Sequence, residues 1–114
     1  MKKRHFSHFN ISGFTYYEGP TAFCELKIGS ELSLVLEPDN KYDPKAVAIY
    51  FGESKLGFVP RNCNSEISKL LEMGYDIFET RVQQLDPSAH PESQVGVIVY
   101  VKKSEESARV TTAL

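Results

Sequence analysis

Polar and apolar positions alternate along most of this chain, and each change of spacing marks a new element. Across residues 5–13, Phe9 and Ile11 share a face with Ser7 and Gly13, while Phe6, His8, Asn10 and Ser12 take the other face. That period of two predicts a strand with one wet side, on which His5 and His8, three apart, point opposite ways. Residues 14–20 end in a Gly-Pro break, and 21–26 suit one helical turn with Thr21 as N-cap or Pro20 near the first position. Leu32, Leu34 and Leu36 then alternate with Glu31, Ser33, Val35 and Glu37 as a second half-buried strand. Residues 46–51 and 55–60 are two β-prone runs about the turn Gly52-Glu53-Ser54, which predicts a hairpin.

The period becomes helical only at residues 62–73. There Cys63, Ile67, Leu70 and Leu71 recur on one face, Asn62 can cap the start, and Gly74 can stop the helix. Alternation returns over 75–85, with Phe78, Thr80, Val82 and Gln84 facing away from Ile77, Glu79, Arg81 and Gln83. Residues 95–102, VGVIVYVK, are too apolar for a wet face and are expected to pair on both sides. About six strands and one main helix predict a mainly β fold, a small closed or partly closed barrel. One domain over residues 5–103 follows, with 104–114, which has no period, as a flexible C-terminal tail.

Composition narrows the function classes. The chain has 114 residues, 41% of them hydrophobic, enough for one core. A formal net charge of −2 excludes a strongly basic coat, so any phosphate binding must come from a local patch. Cys24 and Cys63 stand far apart with no second pair, which suggests neither a disulfide framework nor a zinc site. No apolar run of signal-peptide length follows the basic start and no transmembrane stretch exists, so a cytoplasmic location is expected.

Catalytic patterns are sparse. His5, His8 and His90 lack metal-ligand spacing, and no nucleophile elbow, P-loop or other cofactor motif is present. Asp39 and Asp43 could hold Mg²⁺ with a phosphate, although two Asx turns shaping the loop explain them as well. The chemistry-bearing stretch is residues 37–61. It opens on a rigid polar loop between Pro38 and Pro44 that carries Asp39, Asn40, Tyr42 and Asp43, and loops on a β scaffold commonly hold binding residues. Tyr16 and Tyr17 are adjacent, so in a strand at most one could enter the core. Both rings can be explained by amphipathic packing, or as a stacking platform for bases that Tyr42 would extend. Arg61 could supply a phosphate contact.

The segments FNISGFTYYEG, EPDNKYDPKAVAIY and KLGFVPRNCNSEISKLL together resemble the HIRAN domain over about residues 9–100. The resemblance implies an OB-like/SH3-like β-barrel and a non-catalytic DNA-binding module that receives the 3′ end of single-stranded DNA. It implies Tyr16 and Tyr17 as base-stacking residues, and Tyr42 and Asp43 as the pocket for the terminal nucleotide, with Asp43 accepting from the 3′-hydroxyl. Arg61 would keep the phosphate-binding charge. Two positions depart from the pattern: Thr15 replaces an arginine, and Phe58, which can still stack, replaces a histidine. The expected setting is DNA repair, with a helicase or nuclease as the expected protein partner and no membrane role. The competing reading is a protein-interaction module that uses the same aromatic loop surface.

Overall fold

The computed structural model describes residues 2–103, so the expected tail at 104–114 lies outside the described residues. Six strands, β1 (Lys3–Asn10), β2 (Glu31–Leu36), β3 (Val47–Phe51), β4 (Ser54–Phe58), β5 (Phe78–Leu85) and β6 (Val95–Lys102), form one antiparallel sheet. Their order is β1-β6-β5-β2-β3-β4. The mainly β, barrel-like architecture expected from the alternation is therefore present. β6 lies between β1 and β5, and its buried Val95, Val97 and Val99 explain why this run lacks polar alternation. The inward faces meet in one core that includes Phe14, Ile49, Leu56, Ile67, Val82 and Val97. No helix among the described residues is long and apolar enough to cross a membrane.

The sheet is not closed by a strand ladder. Its two edges meet at one antiparallel bridge beyond the end of β1, where the Ser12 and Phe58 amides each donate to the other's carbonyl at 2.9 Å. Gly57 makes this approach possible. Its φ is +148°, and a Cβ there would lie 2.4 Å from the Ser12 carbonyl oxygen and 2.6 Å from Ile11 Cγ2. Any side chain would push the two edges apart.

Several local expectations are corrected. A bulge between His5 and Ser7 makes Phe6 the extra residue of β1. The alternation shifts by one there, so His5 and His8 lie on the same face, with Nε2 and Nδ1 2.8 Å apart. Phe6, expected on the wet side, instead packs edge-on against Phe78 at 5.1 Å. The first helix, α1 (Gly19–Ala22), carries Pro20 in its first turn and has Glu18, not Thr21, at its N-cap. A 3-10 turn, Phe23–Glu25, continues it. β5 starts at Phe78 rather than at residue 75, because the Tyr75 amide donates to Leu70 and finishes the preceding helix.

That main helix, α2 (Arg61–Glu72), begins one residue early with Pro60 at the N-cap, and Asn62 is exposed rather than capping. Its buried stripe is Asn64, Ile67 and Ser68, flanked by Cys63 and Leu71. At 100° per residue Leu70 falls on the margin of this stripe, and it is only half-buried. The polar residue at the centre of the stripe, Asn64, determines the geometry of the site.

Candidate nucleic-acid interface

The loop before β3 is built by local hydrogen bonds that a Pro-Asp-Asn sequence favours. Asn40 Oδ1 accepts from the Tyr42 and Asp43 amides at 2.9 and 3.0 Å, and Asn40 Nδ2 donates to Glu37 Oε1 at 3.2 Å. Asp43 Oδ1 accepts from the Lys45 amide at 2.9 Å, and Oδ2 accepts from Asn64 Nδ2 at 2.9 Å. Asn64 is thus a buried amide whose partner is the carboxylate above it, which is why an apolar helix face tolerates it. Arg61 Nη2 donates to the Tyr42 carbonyl at 2.9 Å, and its Nε stands 3.8 Å from Asp43 Oδ2. The Lys45 amide, the Asn64 amide and the nearby Arg61 charge hold the Asp43 carboxyl below its ordinary value. Asp43 is therefore an ionised acceptor, and its two oxygens have lone pairs left after these bonds.

Opposite this loop the chain turns through a 3-10 segment, Phe14–Tyr16. Phe14 is buried and anchors it, which leaves Tyr16 81% and Tyr17 41% exposed. The Tyr17 ring meets Phe58 edge-on at 5.5 Å, and Lys55 Nζ lies over both rings, 4.6 Å from Tyr17 and 4.4 Å from Phe58. The same ammonium bonds Glu37 Oε2 at 2.6 Å. Glu18 and Lys55 also pair through their backbones, with the Glu18 amide donating to the Lys55 carbonyl at 2.9 Å. Through Lys55, Glu37 and Asn40 the aromatic segment is connected to the polar loop.

Between the two walls lies a cleft of about 220 Å³ lined by Tyr17, Tyr42, Asp43, Phe58, Arg61 and Asn64, among others. Five of the six residues expected from sequence converge here. Tyr16 does not line the cleft, and Thr15 is exposed beside it on the 3-10 segment. Tyr42 is 84% exposed, an uncovered ring on the rim. Asp39 is exposed and outside the cleft, and no cluster of His, Cys, Asp and Glu among the described residues could hold a metal ion.

Sequence reasoning missed Asn64, Lys55 and Glu37. Asn64 was detectable in principle, because it lies three residues before Ile67 on the apolar stripe and a buried amide requires a partner. The role of Lys55 depends on which rings its stem crosses, and nothing in a single sequence shows that.

The arrangement matches known proteins. The HIRAN domain model matches residues 5–104. Among solved structures, a protein from Lactobacillus plantarum superposes with a TM-score of 0.75 at 20% identity, covering 88% of this chain and 95% of its own. The HIRAN domain of human HLTF superposes with a TM-score of 0.60 at 14% identity, covering 94% of this chain and 83% of its own. Comparison with the curated proteins found no match. By the extent of the family match, supported by the shared fold, this chain belongs to the HIRAN-domain family, a family of DNA-binding modules.

Proposed function

We propose that the cleft binds the 3′-terminal nucleoside of single-stranded DNA and that the domain works by binding, without catalysis. The observation that carries this reading is an ionised carboxylate, Asp43, held through both oxygens and facing an aromatic wall across the cleft, with a guanidinium on the rim. A free 3′-hydroxyl can donate to Asp43, and Tyr17 and Phe58 offer apolar ring surface to the base. Tyr42 stands where it can fold onto an incoming ring, and Arg61 where it can meet the phosphate one step back. The cleft is smaller than the roughly 300–1,000 Å³ of drug-sized sites, which suits one terminal residue rather than a length of strand. Tyr16, exposed beside the cleft, serves as a further stacking surface for the next base.

The test is fluorescence anisotropy with oligonucleotides that differ only at their ends. A 3′-hydroxyl strand should bind on the order of ten- to a hundredfold more tightly than a 3′-phosphate strand, whose charge would face Asp43. A 5′-phosphate should matter little. Incubation with Mg²⁺ or Mn²⁺ should yield no cleavage of DNA, RNA or a phosphodiester substrate. Equal affinity for both 3′ ends, or binding to neither at low salt, would remove the reading and leave a protein partner on the same aromatic surface as the better one. A helicase or nuclease that presents DNA ends is the partner class that fits the leading proposal.

A further inference from the structure

The terminal cleft leaves open where the rest of the strand runs. Three features lie in sequence along β1. At its far end is the cleft, with Ser12 in its lining. Ser12 also borders a second, shallower depression on the other side of the Ser12–Phe58 bridge, lined by His8, Asn10, Pro60, Asn62 and Glu92, among others. At the near end of β1, cross-strand pairing sets Lys3 beside Lys102 and His5 beside Tyr100, on the outer face of the sheet. The bulge at Phe6 keeps His8 on this outer face with His5. Lys3, His5, His8, Asn10 and Ser12 therefore mark one continuous line from the basic end to the cleft.

Charge is concentrated at that near end. Lys3, Arg81 and Lys102 lie there with Glu79, Glu31 and Asp76, and Lys2, Arg4 and Lys103 adjoin them along the chain, in a protein whose formal net charge is −2. Lys3 bonds Glu79 at 2.6 Å and lies 4.4 Å from the Tyr100 ring centre, and Arg81 sits between Glu79 and Glu31. Lys2, Lys102 and Lys103 form no ion pair among the described residues, and Lys2 and Lys103 are exposed. The carboxylate in the intermediate depression, Glu92, is turned toward the Gly13 amide at 3.3 Å.

We propose that the outer face of β1, with the adjoining end of β6, is a track for the phosphate backbone of the strand whose 3′ end occupies the cleft. The proposal rests on the end-binding reading and adds a direction: the strand leaves the cleft over Ser12, passes His8 and His5, and reaches Lys3 and Lys102 on its 5′ side. From Ser12 to Lys3 the track is about 30 Å long at strand rise. OB-type folds hold ~4–16 nucleotides, so a strand that continues past a terminal cleft suits this architecture. The cations are distant from the cleft, so they add affinity and salt dependence without affecting recognition of the end.

The experiment compares 5′-labelled, 3′-hydroxyl oligothymidylates of two and eight nucleotides at two salt concentrations. The octamer should bind at least about tenfold more tightly at low salt, and its salt slope should be steeper by roughly two phosphates' worth. In Lys3→Gln/Lys102→Gln, and separately in Lys2→Glu/Lys103→Glu at exposed positions, this gain should vanish while the dinucleotide affinity stays unchanged. Asp43→Ala should weaken both lengths alike. Equal binding of the two lengths with 3′-end discrimination intact would overturn the track and leave the cleft reading standing. A length gain that survives both charge variants would also overturn it. No binding of either length would overturn both.

Discussion

The two walls of the cleft are built on different principles. The polar wall, residues 40–43, is held by hydrogen bonds to its own side chains and by Asn64 from α2, and its carboxylate has a fixed orientation. The aromatic wall is held by the buried Phe14, by an edge-on contact with Phe58 and by a lysine lying across two rings. Hydrogen bonds are directional, whereas ring contacts tolerate sliding. Under the proposed function, the polar wall would discriminate between end chemistries and the aromatic wall would accept any base.

If the walls have separate supports, substitutions beneath each should act separately. Ile67→Ala empties a fully buried site on the helix face that also carries Asn64, and should cost about 2–5 kcal/mol in chemical denaturation. Leu70→Ala, on the margin of that face, should cost less than half as much. Equal losses would mean that the stripe is not centred on Asn64 and Ile67.

Gly57→Ala attacks the other support. The positive φ and the overlap with the Ser12 carbonyl should together cost about 3 kcal/mol, read as a lower melting temperature. In the surviving folded fraction Tyr17 should lose its place beside Phe58, so affinity for a base should fall while preference for a 3′-hydroxyl is kept. Loss of that preference would show that the walls are not independent.

Asp43→Ala should produce the reverse pattern, lowering affinity for 3′-hydroxyl DNA on the order of ten- to a hundredfold and narrowing the gap to 3′-phosphate DNA. The pH dependence follows from the same carboxylate. Its folded value lies below the ordinary 3.8, so the order it gives the loop is complete above that value and is lost as pH falls through the lower folded one. Between about pH 5 and 8 Asp43 should contribute no pH dependence to binding. A titration of the Lys45 and Asn64 amides by NMR should show both shifting together, with a midpoint below the ordinary 3.8.

The smallest effect is expected for Lys55→Met, which keeps the apolar stem over the rings but removes the ammonium and its bond to Glu37. Both walls contact this lysine, so a few-fold loss of affinity should be accompanied by a small loss of discrimination. A change confined to one property would assign Lys55 to a single wall.

The polar wall was more legible in sequence than the aromatic one. Pro38, Asn40, Asp43 and Pro44 lie within one short loop whose bonds are local, and local chemistry survives in a one-dimensional reading. The strands were legible for the same reason, since alternation is a local property. The bulge at Phe6 was not, because an extra residue is defined only against the partner strand β6. Asn62 was assigned the cap and Leu70 the core because composition places polar and apolar residues on a helix without fixing its rotation. That rotation is set by what the helix packs against, here the sheet and Asp43. The Tyr17–Phe58–Lys55 cluster joins three places in the chain, so only folding brings it together.

The seam between Ser12 and Phe58 has a kinetic consequence. It joins residues distant in sequence through two hydrogen bonds rather than a ladder, so little cooperative support holds it once its loop is closed. The cleft exists only while that seam is shut, because Ser12 and Phe58 both line it. Exchange of the Ser12 and Phe58 amides with solvent would therefore report the opening of the site itself, at a free energy below that of global unfolding. A strand end bound across the seam would act as a stitch and slow that exchange.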